Sequence, residues 1–114
     1  MHAGITPMYR GVHGAYWAYA LGDDSNAGVT VHLVDAGIDT GDVLYQANIE
    51  ASDDDNFTTY PLLQIEAGLP HLIQAVDDAL HDNLKPYKAQ GNSQLHYHPT
   101  IWGYLWNRFL RYAR

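Results

Sequence analysis

The sequence predicts an α/β chain in which an antiparallel strand pair is flanked by helices. Three patterns lead there. Residues 28–35 and 43–49 alternate in side-chain character with a period of two, as strands do. Leu62, Ile65, Leu69, Leu72, Val76 and Leu80 step by three and four, the spacing of one helical face. Near the C-terminus Ile101, Trp102, Leu105, Trp106, Phe109, Leu110 and Tyr112 also recur at helical spacing.

Residues 1–14 carry Gly4, Pro7, Gly11 and Gly14 without a sustained period, so they read as an irregular loop of the kind that positions polar groups. Apolar and aromatic residues crowd 15–21 before Gly22-Asp23-Asp24-Ser25-Asn26, which predicts a short helix ended by a glycine and a polar turn. In the first strand Val29, Val31 and Leu33 face one way and Thr30, His32 and Val34 the other. In the second, Val43, Tyr45, Ala47 and Ile49 alternate against Leu44, Gln46 and Asn48. A short connection containing Gly37 and Gly41 makes the pair antiparallel and presents Asp35 and Asp39 into a cleft.

Ser52-Asp53-Asp54-Asp55-Asn56 supplies caps and acidic groups suited to a helix N-terminus. Pro61 fits the first turn of the helix that follows, whereas Gly68 with Pro70 is expected to kink or divide it. Residues 85–93, with Pro86 and Gly91, form a connection. Arg108, Arg111 and Arg114 suit the C-terminal end of the last helix, whose aromatics must be buried or else form an apolar patch. The expected organisation is a main part, 1–90, and an aromatic, basic helical tail, 91–114.

Composition narrows the class. With 46% apolar and 17% charged residues in 114, the chain has enough to bury to fold as one domain's worth of sequence. Thirteen carboxylates against six Lys and Arg, a formal charge of −7, disfavour general binding to nucleic-acid phosphates. There is no cysteine, which excludes disulfides and thiolate metal sites and fits a reducing compartment. No segment has the length and continuity of a membrane span, and the N-terminus lacks the plan of a signal peptide, so a cytoplasmic location is expected.

Several residues could do chemistry, each with a plain alternative. His71 and His81 read as surface or packed helix residues. His96 and His98, two apart, could share one face of an extended segment and bind a metal, but no third ligand is in view and no metal is expected. The acidic run 53–55 lacks the ligand spacing of a calcium loop and reads as a solvated cap. His32 alone reads as a sheet histidine, and His13 stands out only through its neighbours. Asp39, between Gly37 and Gly41 at a strand junction, is either a turn residue bonding its own backbone or a carboxylate aimed inward.

Two motifs taken together go further. His2-Ala3-Gly4-Ile5-Thr6-Pro7-Met8-Tyr9-Arg10-Gly11, and the stretch from Gly28 through Asp35-Ala36-Gly37-Ile38-Asp39-Thr40-Gly41-Asp42 to Leu44, resemble the folate-dependent formyltransferase family. That family includes glycinamide ribonucleotide, methionyl-tRNA and sugar-amine formyltransferases. The resemblance is strong over about residues 1–50 and weak over the long helix. It implies the C-terminal portion of a formyltransferase-type α/β domain, with the Rossmann-like N-terminal half absent. The family's Asn-x-His motif would place its asparagine one residue before Met1.

By that resemblance His2 and Asp39 are catalytic, Asp35, Ala36, Gly37 and Ile38 line the folate pocket, and Thr30 and His32 line the acceptor side. The implied co-substrate is 10-formyltetrahydrofolate, whose formyl group moves to a primary amine. His2 would stabilise the oxyanion of the tetrahedral intermediate, and Asp39 would orient His2, favour its cationic form and relay the amine's proton. The implied acceptor is small, glycinamide ribonucleotide-like or an amino sugar, with methionyl-tRNA ranked last for want of a basic surface. The fragment is expected to be weak or inactive alone, with an open strand edge that favours self-association or pairing with an N-terminal half. The other readings are a non-catalytic remnant or interaction module built on the Trp102 and Trp106 helix, and one half of a split formyltransferase.

Overall fold

The computed structural model describes residues 1–110; Arg111, Tyr112 and Arg114 of the expected tail lie outside the described residues. The order of elements is β1 (Arg10–Gly11), α1 (Gly14–Ala20), β2 (Gly28–His32), β3 (Val43–Asn48), α2 (Tyr60–Leu80), β4 (Leu95–His96) and α3 (Ile101–Leu110), with a 3-10 turn at Asp24–Asn26. The expected strand pair is present: β2 and β3 are antiparallel, with Val29 opposite Ala47 and Thr30 opposite Gln46. The register slips between Val31 and His32, and the connecting loop spans residues 33–42. It is longer than the expected turn because β2 ends at His32 rather than at Asp35.

The N-terminal segment is more ordered than an irregular loop. His2 bridges Thr30 on the outer edge of β2, each residue's N–H donating to the other's carbonyl at 2.7 and 2.9 Å. Arg10 and Gly11 form a parallel pair with Leu95 and His96. On the far side of the strand pair Val43 bridges Tyr87, so both edges of the pair are partly occupied, where one open edge was expected. Pairing of β4 with β1, and the bond from Asn107 Nδ2 to Tyr16 at 3.0 Å, cross the expected boundary between 1–90 and 91–114.

Both faces of β2 are covered. Gly28, Val29, Thr30 and Val31 are all buried. α2 lies over the valine face, and the loop of residues 2–6 lies over the threonine face. A second apolar cluster gathers α1 with its surroundings: Tyr9, Ala15, Tyr16, Ala18, Ala20, Ala27, Ile49 and Tyr60. Alanines alternate there with large rings, and Tyr19 meets Tyr60 with centroids 5.1 Å apart.

α2 corrects two expectations. It runs unbroken through Gly68 and Pro70. It also turns the opposite face inward: Tyr60, Gln64, Gly68 and Ala75 are buried, while Leu62, Ile65, Leu69, Ile73, Val76 and Leu80 are exposed. The reason is close approach. A Cβ on Gly68 would lie 2.8 Å from a methyl of Val29 and 2.6 Å from the Met1 sulfur, so only the small-residue face can sit this near the sheet. Gln64 then donates to the Gly28 carbonyl at 2.7 Å, and His71 stacks on Tyr45. α3 likewise leaves Ile101, Trp102, Trp106 and Phe109 exposed, the patch that its sequence allowed for.

Gly68→Leu is expected to destabilise the fold by roughly 1–3 kcal/mol through overpacking against Val29. Leu62→Gln and Val76→Gln, on the outward face, should stay within about 0.5 kcal/mol of the parent. Urea denaturation measures both, and the reverse ranking would mean that α2 packs through its apolar stripe.

Candidate active site

The loop of residues 33–42 is shaped by its own polar groups. Asp35 accepts from the Gly37 amide at 3.0 Å and from the Thr40 hydroxyl at 2.5 Å, which closes the turn. These bonds hold its carboxyl below the ordinary carboxylate range, so Asp35 stays charged. The two glycines are steric requirements: a Cβ on Gly37 would strike Thr40, and one on Gly41 would strike the Leu33 carbonyl. At the turn Asp39 takes a left-handed conformation, φ 54°, uncommon outside glycine. That twist points its carboxylate back toward the N-terminal segment.

There Asp39 meets three partners. Its Oδ2 accepts the Gly11 amide at 2.9 Å. Its Oδ1 lies 3.3 Å from His2 Nδ1 and 3.7 Å from His32 Nε2. Each histidine has its other nitrogen against a backbone carbonyl: His2 Nε2 is 2.8 Å from the Tyr9 oxygen, and His32 Nδ1 is 2.6 Å from the Leu33 oxygen. A carbonyl and a carboxylate both only accept, whereas a neutral imidazole has a single N–H to offer. The His2 ring, between the Tyr9 carbonyl and the carboxylate, is therefore one proton short of serving both, whereas His32 Nε2 at 3.7 Å stands beyond hydrogen-bond reach of Asp39. The His2 and His32 rings meet edge to face at 6.2 Å.

Burial opposes that proton. Desolvation pushes the His2 pKa below 6.5, and it outweighs the raising effects of the Tyr9 carbonyl and then of Asp39. Asp39 acts on His2 in the direction expected, toward the cation, but burial is the larger influence.

The other sequence candidates divide. Asp35, Ala36, Gly37 and Ile38 lie on the exposed loop, where Ile38 and Val34 present apolar side chains to solvent. Asp35 does not point into a cleft, because its carboxylate is engaged within the loop. Thr30 is wholly buried. Its hydroxyl donates to the Gly4 carbonyl at 2.7 Å and accepts from the Thr6 amide and Gln46 Nε2, both at 3.2 Å. It cannot line an acceptor pocket; it pins residues 2–6 onto β2. His32 stands in the Asp39 cluster, 3.7 Å from the carboxylate.

His96 and His98 diverge. His96 stacks between Tyr9 and Trp17 and bonds the Met8 carbonyl, while His98 bonds His13 at 2.9 Å. Among the described residues no group of three or more His, Asp or Glu side chains is placed to hold a metal ion. Nor, among them, is any helix long and apolar enough to cross a membrane. Asp55 of the acidic run closes a turn, accepting from the Ser52 amide and the Thr59 hydroxyl, each at 2.9 Å.

This His-Asp-His cluster on a Gly-Ile-Asp-Thr-Gly loop belongs to a known class: residues 1–76 match the Formyl transferase family, and the chain is a member of that family. It is 32% identical over 96 residues to the methionyl-tRNA formyltransferase of Clostridium botulinum, covering 82% of this chain and 30% of that protein. It is 36% identical over 76 residues to the methionyl-tRNA formyltransferase of Koribacter versatilis, covering 67% and 24%. The chain thus spans about a third or less of the length of these relatives.

Solved structures share its fold. A 4-N formyltransferase from Francisella tularensis superposes with a TM-score of 0.75 at 18% identity, covering 96% of this chain and 50% of that one. An N-formyltransferase from Helicobacter canadensis, in complex with folinic acid and dTDP-3-aminofucose, gives 0.70 at 18% identity over 83% and 35%.

His2, His13 and His96 are all held below 6.5 by burial. Each binds fewer protons folded than unfolded in the interval below that value, so stability is full above about pH 6.5 and is lost as pH falls through the lowered pKa values. Thermal melts at about pH 7.5 and about pH 5.5 should show a lower melting temperature in acid. Equal melting temperatures would contradict these burial effects.

Proposed function

We propose that this chain carries the proton-handling part of a 10-formyltetrahydrofolate-dependent formyl transfer site, with a small primary amine as acceptor. One observation carries the reading: a single carboxylate, Asp39, held by a backbone amide beside the buried His2 and the half-buried His32. When the amine attacks the formyl carbon, its nitrogen becomes an ammonium and the formyl oxygen an oxyanion. Asp39 or a neutral histidine beside it takes the ammonium proton. The resulting imidazolium, if His2, offers positive charge to the oxyanion, and collapse of the intermediate re-forms the carbonyl and breaks the bond from the formyl carbon to N10 of the folate, which leaves as the amine with the proton taken from the attacking nitrogen.

The residues present suit a folate on the loop side. Val34 and Ile38 supply exposed apolar surface for a flat heteroaromatic ring on the loop that carries Asp39, and the folate supplies the formyl group there. A nucleotide-linked amino sugar is the favoured acceptor. The net charge of −7 disfavours a polynucleotide, and the Helicobacter canadensis neighbour was solved with an amino sugar nucleotide. An interaction module is the second reading, supported by the exposed Trp102, Trp106 and Phe109 on α3.

The test is formylation of a dTDP-linked amino sugar by the 114-residue chain, assayed alone and with the N-terminal segment of a relative added in trans. Turnover is expected when both are present, and Asp39→Asn or His2→Ala should lower it on the order of 100- to 1,000-fold. Undiminished turnover in both variants would remove these residues from the chemistry. Absence of transfer to any amine would favour the interaction module.

A further inference from the structure

α3 turns its polar side inward. Thr100 caps its start, Oγ1 accepting the Gly103 amide at 3.0 Å, and Asn107 is buried with Nδ2 donating to the Tyr16 hydroxyl at 3.0 Å. Tyr104 packs among rings, its centroid 6.0 Å from that of Tyr16 and 5.2 Å from that of Phe57. With about 3.6 residues per turn, Trp102, Leu105 and Phe109 fall opposite Asn107, with Trp106 beside them. Trp102 is 81% exposed, Trp106 61% and Phe109 69%, so the helix is held by a polar and aromatic inner side while its bulkiest apolar groups face solvent. This apolar face runs into a groove of about 460 Å³ to which Ile101, Leu105, Pro99 and Phe57 contribute. A contiguous apolar surface of this kind marks an interaction site.

Charge is segregated along the same chain. All thirteen carboxylates lie at or before Asp82, and five of the six Lys and Arg follow it: Lys85, Lys88, Arg108, Arg111 and Arg114. Arg108 is exposed on α3, donating to the Tyr104 hydroxyl one turn away at 3.0 Å. Five cations with no carboxylate among them suit an anionic surface, although the chain as a whole is acidic. Composition then decides between kinds of partner. Indole rings beside a guanidinium match the headgroup level of a bilayer, where the ring's apolar body meets acyl chains while its N–H and the cation meet water and phosphate. The ridge of one short helix gives a second protein little to enclose, whereas a fluid lipid surface conforms to it.

We infer that α3 docks on an anionic lipid surface, with Trp102, Trp106 and Phe109 seated at the headgroup level and Arg108 on lipid phosphate. The helix lies on the surface, since ten residues are far too few to cross one. The inference rests on the interaction surface named as the second reading and gives it a partner. It stands apart from formyl transfer: vesicle binding is read without folate or amine, so the two fail separately.

The 114-residue chain is sedimented with vesicles of equimolar phosphatidylcholine and phosphatidylglycerol, and with vesicles of phosphatidylcholine alone. Binding to the mixed vesicles is expected, weakened by salt and accompanied by a blue shift of tryptophan emission. Trp102→Gln combined with Trp106→Gln should weaken it about tenfold or more, and Arg108→Gln about fivefold. Leu62→Gln, at an equally outward apolar residue on α2, should bind as the parent does, and amide spectra establish that each variant is folded.

Absence of binding, or equal binding to both kinds of vesicle, overturns the inference, as does undiminished binding by the folded tryptophan double variant. If the chain instead forms a dimer that this double variant dissociates, and the vesicles bind nothing, the face belongs to a second copy and the lipid assignment is overturned.

Discussion

The hydrogen bond from the Gly11 amide to Asp39 joins two segments that the chain keeps 28 residues apart, and the candidate site exists only where they touch. Both ends of the bond need special backbone. Gly11 has φ 91°, and a Cβ there would collide with the His96 carbonyl; Asp39 is left-handed at φ 54°. A hydrogen bond to an ionised group contributes about 1.5–3 kcal/mol, enough to hold a left-handed aspartate in place. Without this contact the loop of residues 33–42 would have no reason to aim its carboxylate at the histidines.

The same contact depends on order further back. β4 pairs with β1 and fixes Gly11, while Thr30 fixes residues 2–6 from below through its hydroxyl and backbone. His2 therefore reaches Asp39 because β2 carries a small hydroxyl residue on its buried outer face. Thr30→Val would keep the shape and strand preference but remove the acceptor for Thr6 and the donor to Gly4. The strand thus does two jobs: its valines receive α2, and its threonine seats the segment that bears the histidine.

Periodicity made the elements legible but misassigned what they face. The strand pair, the short helix and the two later helices follow from alternation and from steps of three and four. The apolar stripe of α2 suggested its inner face, yet Gly68 and Ala75 lie inward because helix and sheet approach too closely for leucines. Two-residue strands such as β1 and β4 leave no period to detect. His2, Asp39 and His32 were singled out through the motifs, and the structure brings the two histidines within 3.3 and 3.7 Å of the carboxylate. The Thr30 role was misread because whether a hydroxyl faces a ligand or a neighbouring loop depends on what covers the strand, which no local pattern records.

What distinguishes the site is a balance on His2. Burial and the neighbouring His32 drive its proton off, while the Tyr9 carbonyl and Asp39 draw a proton on. The titration of His2 in Asp39→Asn, followed through the imidazole nitrogens by NMR and compared with the parent chain, tests that balance most directly. The account predicts a midpoint lower than the parent's, because the carboxylate that favours the imidazolium is gone while the burial remains. An unchanged or higher midpoint would contradict it, and would mean that Asp39 and His2 do not act on one proton.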